Sequence, residues 1–226
     1  MNKKHGRKCF NPSSSAGHMR FHPAWAEFIG TAVMVGVGCG SVALGASHPV
    51  VSLSFGAAVT LVILVVGGWS GAHINPAVSI AFWRDGKLEG DILYTYIVAQ
   101  ASGATLAAWL LNGAAPTVPA PQVHMVSLMA IEVAITFALM LSILVVVDRT
   151  ERRSVVAVAV GAAVALLALV AGPSTGASMN PARTIGPNLV AGHADLIPVY
   201  VLSTVIGAWI AVAVNQRWLR PKMLQD

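Results

Sequence analysis

The chain is predicted to be an all-α membrane protein: six transmembrane helices plus two re-entrant half-helices, arranged as an inverted repeat. Three observations predict it. Of 226 residues, 56% are apolar and only 10% charged, whereas soluble domains carry about 25% charged residues. A soluble fold could not cover its surface with so few. Six stretches approach the roughly 20 apolar residues needed to cross a hydrocarbon core. Two further segments, Ser70–Trp83 and Ser174–Val190, are too apolar for ordinary loops and too short to cross. The same composition excludes disorder, except at the ends.

In chain order, residues 1–20 are basic, Ser-rich and aperiodic. They read as a disordered tail, with Met19 a candidate natural start and nothing resembling a cleavable signal peptide. The membrane domain then runs from 21 to 217, with 218–226 a C-terminal tail. The predicted spans are Trp25–Ser47, Val50–Gly68, Ile92–Leu111, Val126–Val147, Val155–Ala171 and Leu196–Val214. The first and fourth each contain one charge, Glu27 and Glu132.

The basic residues set the orientation. With the N-terminus inside, thirteen of the fourteen lysines and arginines fall on the cytoplasmic side, and the loop Asn112–Met125 has none. This obeys the positive-inside rule, so both termini are expected to be cytoplasmic. The net charge of +5 is therefore topological, and no nucleic-acid partner is expected. The exception is Arg183.

The short segments expose the repeat. Asn75-Pro76-Ala77 recurs as Asn180-Pro181-Ala182, an offset of 105 that also relates Glu27 to Glu132 and Thr31 to Thr136. Each half, about 23–112 and 126–214, therefore has three spans and one short helix. Three is odd, so the second half enters from the opposite face, and the halves are related by an axis in the membrane plane. A helix of about ten residues is roughly 15 Å long, half the core thickness. The two short helices should therefore meet at the midplane.

Asn is a favoured N-cap and Pro suits the first helical position. Asn75 and Asn180 are expected to cap the short helices with their side-chain oxygens, leaving each NH₂ free. Both helix N-termini would bring partial positive charge to the same place. The alternative is two ordinary Asn-Pro turns, which the matched Gly-Ala-x-x-Asn-Pro-Ala frames argue against. Arg183, at the third helical position, opposes that dipole and is costly within a bilayer. It is expected to face a cavity near the outer mouth, held by loop carbonyls, rather than to snorkel. Glu27 and Glu132 read either as a proton relay or as structural acceptors for the backbone leading to each short helix. Their symmetry favours the second. His73 lines the inner cavity or caps its loop.

The remaining histidines have no metal-ligand spacing, and no catalytic motif is present. No catalytic residue, metal or cofactor is expected. Cys9 and Cys39 cannot form a disulfide framework or zinc site. Gly36 and Gly40, together with Gly103 and Gly207, are expected at close helix–helix contacts.

Two Asn-Pro-Ala motifs in six spans, with Ser-Gly-Ala-His-Ile before the first and Arg after the second, resemble the aquaporin or major intrinsic protein family over about residues 22–216. The resemblance implies a right-handed six-helix bundle with two half-helices. It also implies a homotetramer in which each subunit has its own pore. By position it implies a selectivity filter of Phe55, Ala168, Ala177 and Arg183. Ala168 is the assignment that no motif anchors, with Leu167 or Leu169 as substitutes. Water-selective members resemble one another in carrying histidine there. The run Ala171–Arg183 is similar to the plant nodulin-like intrinsic proteins and their bacterial relatives, a branch associated with water, glycerol and neutral metalloid acids. Thr184 stands where typical glycerol facilitators have Asp.

The resemblance thus implies a passive channel for water and small uncharged solutes (glycerol, urea or neutral metalloid acids such as arsenous acid) that excludes protons and ions. Its expected surroundings are a lipid bilayer, and the short loops suggest a bacterial inner membrane. The rivals are a strictly water-selective channel, a secondary transporter with broken-helix repeats, and a junctional protein with a vestigial pore.

Overall fold

A computed structural model describes residues 22–220. The basic tail 1–20 and residues 221–226 of the C-terminal tail lie outside the described residues. Eight α-helices follow in order: α1 Pro23–Ala43, α2 His48–Ser70, α3 Pro76–Arg84, α4 Gly90–Leu110, α5 Met125–Val147, α6 Arg153–Thr175, α7 Pro181–Ala191 and α8 Ile197–Val214. A 3₁₀ turn, Ala194–Leu196, leads into α8, and a π-helical turn, Asn215–Leu219, ends it. No strand occurs among the described residues.

Helices α1, α2, α5, α6 and α8 with its flanking turns are long and apolar enough to cross a membrane. Helix α4 equals α1 in length, at 21 residues, which is about 32 Å. It is more polar, with Thr95, Tyr96, Gln100, Ser102 and Thr105 along it. The short helices α3 and α7 have 9 and 11 residues. The first predicted span runs too far: α1 ends at Ala43, where Gly45 adopts φ +72°. Helix α6 instead continues through Pro173 to Thr175.

Polarity is inverted relative to a soluble protein, as bilayer solvation demands. Glu27, Gln100, Glu132, Asn188 and Asn215 are buried, while Leu53, Leu61, Leu110, Leu166, Val170 and Leu202 face outward. The repeats are visible in the packing: α1 lies against α4 as α5 lies against α8. Both crossings are close because a glycine sits at the contact. A Cβ on Gly103 would strike the Phe28 carbonyl, and one on Gly207 the Val133 carbonyl. Gly56 and Gly161 meet in the same way between α2 and α6. Gly36 and Gly40 do not conform to expectation: a Cβ on Gly36 would meet nothing within 4 Å, and one on Gly40 only Leu111 at 3.8 Å. The close approaches along α1 are instead at Gly30, where a Cβ would lie 2.8 Å from Val62 and Ile74, and at Gly38, where it would overlap the Phe55 ring.

Candidate functional site

The two chain segments leading into the short helices are built alike. Gly71 and Gly176 terminate α2 and α6 in the left-handed conformation, at φ +86° and +75°. The next residues alternate: Ala72 and Ile74 in one half, Ala177 and Met179 in the other, all have φ between +43° and +51°. Such conformations cost roughly 1–2 kcal/mol per non-glycine residue. The carboxylates offset that cost. Glu27 accepts from the Ser70 hydroxyl at 2.6 Å, His73 N–H at 2.9 Å, Ile74 N–H at 2.6 Å and Gln100 Nε2 at 2.8 Å. Glu132 accepts from the Thr175 hydroxyl at 2.7 Å, Ser178 N–H at 2.9 Å and Met179 N–H at 3.0 Å. Tyr96 and Tyr200 donate to the Ser70 and Thr175 carbonyls, at 2.8 and 2.5 Å.

These segments deliver the two asparagines. Asn75 Oδ1 accepts from Ala77 N–H at 2.9 Å, and Asn180 Oδ1 accepts from Ala182 N–H at 2.9 Å. Each caps its own helix. Neither NH₂ group is wholly free, contrary to expectation. Asn75 Nδ2 donates to the Met179 carbonyl at 2.8 Å, and Asn180 Nδ2 to the Ile74 carbonyl at 2.9 Å. The halves are thus cross-tied by a reciprocal pair of hydrogen bonds. An amide NH₂ has two hydrogens: Asn75 keeps one for the cavity, whereas the second of Asn180 meets the weak acceptor Met34 Sδ at 3.7 Å.

One cavity of about 2360 Å³ extends from the end carrying the α4–α5 loop to the end carrying Pro23 and Arg220, the terminal end of the described residues. Phe55, His73, Asn75, Ala168, Ala177, Asn180 and Arg183 all line it. Pro76, Ala77, Pro181 and Ala182 are buried behind the asparagines. Between the two ends its wall is largely aliphatic, with Val59, Ile63, Val78, Leu139 and Val160. In α6, Ala168 lines the cavity whereas Leu169 faces outward.

Phe55, Ala168, Ala177 and Arg183 gather toward the loop end. The Arg183 guanidinium lies 5.2 Å from the centre of the Phe55 ring. Its Nη1 donates to the Ala115 carbonyl at 2.9 Å and the Thr117 hydroxyl at 3.3 Å. At the other end, His73 stacks on Phe82 at 4.7 Å and meets Tyr96 edge-on at 5.4 Å. Its Nδ1 is 3.1 Å from Ser79 Oγ. Glu27 and Glu132 stand behind the wall rather than on it.

At the terminal end an ion-pair network lines the cavity. Lys87 pairs with Asp85 at 2.9 Å and Asp148 at 2.7 Å, and Arg220 pairs with both aspartates. Burial works against ionisation of Asp148. Hydrogen bonds from Lys87 and Asn215, with the Lys87 and Arg220 charges, outweigh it and hold the carboxyl below its ordinary range.

Sequence reasoning missed Gln100, Tyr96 and Tyr200, because a lone polar residue in a span carries no motif. It missed Thr117 and Asn188, whose contacts join distant segments. It also missed His48, one of the histidines without metal-ligand spacing. Pro173 has no N–H to offer the Leu169 carbonyl one turn earlier, and His48 Nε2 lies 3.0 Å from that carbonyl. The proline inside α6 was the available signal.

The comparisons with known proteins agree with this geometry. The family described as major intrinsic protein matches residues 16–215. A maize (Zea mays) protein named aquaporin NIP1-1 is 41% identical over 196 residues, covering 81% of this chain and 70% of its own. Aquaporin AqpM of Methanothermobacter thermautotrophicus is 32% identical over 232 residues, covering 84% and 94%. The X-ray structure of the aquaglyceroporin from Plasmodium falciparum superposes with a TM-score of 0.83 at 25% identity, covering 90% of this chain and 99% of that one. The chain belongs to the major intrinsic protein family, a family of multi-pass membrane channels rather than enzymes.

Proposed function

We propose that the chain is a passive channel for water and small uncharged solutes, among them glycerol, urea or neutral metalloid acids such as arsenous acid, and that it excludes protons and ions. The observation that carries this reading is the reciprocal tie of Asn75 and Asn180 within one cavity. It holds two helix N-termini and two amide donors against the same short stretch of the cavity. An oxygen accepting from both asparagines directs its own hydrogens away along the axis. The chain of waters cannot then relay a proton, and the two half-helix dipoles oppose cations.

Phe55, Ala168, Ala177 and Arg183 are the proposed selectivity filter. Arg183 supplies donors, Phe55 one apolar wall, and the two alanines only methyl groups. Diameter and lining donors decide selectivity in such pores. An alanine at position 168 leaves room for a carbon chain bearing hydroxyls. Likeness to a protein described as an aquaglyceroporin supports the same reading. His73 is proposed to line the inner vestibule, and the positive-inside pattern to put both termini in the cytoplasm. We further propose a homotetramer, each subunit with its own pore, in a bacterial inner membrane.

A transporter would want an ionisable coupling group in its site. Glu27 and Glu132 are each engaged by three or four donors behind the wall, which favours the channel. Stopped-flow light scattering of proteoliposomes tests the reading, with water, glycerol, urea and arsenous acid compared side by side. Each should pass faster than through empty vesicles, and at an unchanged rate when ion gradients are collapsed. Flux that vanishes with the gradients would contradict it.

A further inference from the structure

The filter arginine takes its acceptors from a loop, not from its own helix, so something must hold that loop to the helix. Among the described residues, Arg183 donates from its side chain to Ala115 and Thr117. Both belong to the connection between α4 and α5. Ala115 is itself in a left-handed conformation, at φ +58°, which an alanine adopts only when its surroundings enforce it. Farther along, the loop is tied to α6 by Ala120 N–H donating to the Ser174 carbonyl at 2.9 Å.

Asn188 holds the intervening stretch. It is fully buried near the end of α7. Its Oδ1 accepts from Thr117 N–H at 2.7 Å and its Nδ2 donates to the Thr117 carbonyl at 2.9 Å. One side-chain amide thereby grips both backbone groups of a single loop residue. Thr184 lies one helical turn earlier on the same face. Its hydroxyl is 3.0 Å from the Thr117 hydroxyl and 2.6 Å from that of Ser178. Thr117, fully buried, is thus fastened to α7 at its backbone by Asn188 and at its hydroxyl by Thr184. From that position it reaches Arg183.

We infer that Asn188 is a positioning residue for Arg183, and that the Asn188–Thr117 clamp sets the channel's preference between water and larger neutral solutes. The inference rests on the filter reading above. Without the clamp, Thr117 loses its backbone partners, the Ala115 carbonyl is released, and the guanidinium is free to swing in the mouth.

The test uses the full chain in proteoliposomes, with Asn188→Ala and the near-isosteric Asn188→Asp, each alone and combined with Arg183→Val. The readouts are the glycerol-to-water permeability ratio and cation leak. Thermal unfolding in detergent is followed alongside. Asn188→Ala should shift the ratio by about fivefold, the size of one lost net hydrogen bond, and raise the leak. Asn188→Asp keeps the acceptor and should fall between wild type and alanine. In the Arg183→Val background neither substitution should change the ratio or leak further, because the residue acts through the arginine. A merely structural role would lower both permeabilities together in either background, and that result overturns the inference. So does a wild-type ratio and leak in Asn188→Ala while Arg183→Val alters both. If Arg183→Val alone alters neither, the filter reading fails and this inference with it. Should Asn188→Ala not reconstitute, Asn188→Asp is judged by the same epistasis.

Discussion

The two re-entrant halves share a frame and differ in what they present. Position by position, Glu27 and Glu132, Ser70 and Thr175, and Asn75 and Asn180 make matching hydrogen bonds. The residues set on that frame diverge. Val78 stands in the first half where Arg183 stands in the second, and His73 where Ser178 stands. In the first half, Ser79 is held by Gln100 at 2.9 Å from within the bundle. In the second, the equivalent Thr184 is held by Thr117, from a loop. The frame therefore accounts for where the chain is held, and the substituents for what each half presents to the cavity. At this matched position the first half leaves an aliphatic wall and the second a cation whose acceptors a loop supplies.

The comparison breaks most severely at the carboxylates. Replacing Glu27 or Glu132 with alanine orphans two backbone N–H groups and a hydroxyl, and at Glu27 it also removes one acceptor of Gln100 Nε2; each group left unpaired costs about 1–3 kcal/mol when buried. Both variants should fail to reconstitute or unfold far earlier in detergent, and to a similar degree. A large difference between them would show that the frame is not symmetric in energy. Next is the substituent. Arg183→Val should leave neutral flux intact or higher while raising proton or cation leak, as measured with a pH-sensitive dye inside vesicles. Background leak in both Arg183→Val and an Asn75/Asn180 double variant would refute the division between barrier and filter.

A smaller effect is expected from Ala168→His. Filling that corner should slow glycerol more than water, by about tenfold, or about 1.4 kcal/mol on the barrier. Equal slowing of both would remove Ala168 from the filter. The smallest concerns the terminal-end network. Because the Asp148 carboxyl is held below its ordinary value, its contribution to stability is present at neutral pH and is lost only as pH falls through its lowered folded-state value. Asp148→Asn should lower the unfolding midpoint modestly at pH 7, and by the same amount at pH 5. The deficit should shrink only in stronger acid. A deficit that disappears by pH 5 would mean that the network does not hold the carboxylate.

Most of the frame was legible because it is local or repeated. Asn-Pro announces a helix start, and the 105-residue offset pairs Glu27 with Glu132 before any contact is known. What was not legible depends on distant parts of the chain. Nothing in the sequence around Asn188 says that it reaches Thr117, 71 residues away. Gly38 and Gly36 are alike as letters, yet only Gly38 admits the Phe55 ring. The asparagine amides could be assigned to the cavity by capping rules, but not their tie across the halves, since a crossed pair is a property of two chain segments at once.

The central claim is that neutral solutes pass while charge does not, and one vesicle preparation can measure both. Proteoliposomes of the wild-type chain, loaded with a pH-sensitive dye, are mixed with a glycerol gradient while light scattering and dye emission are recorded together. The account predicts fast shrinkage as water leaves, re-swelling faster than in empty vesicles as glycerol enters, and a dye signal no different from empty vesicles. Shrinkage without accelerated re-swelling would reduce the chain to a water-selective channel. Re-swelling accompanied by proton entry would contradict the barrier assigned to Asn75, Asn180 and Arg183.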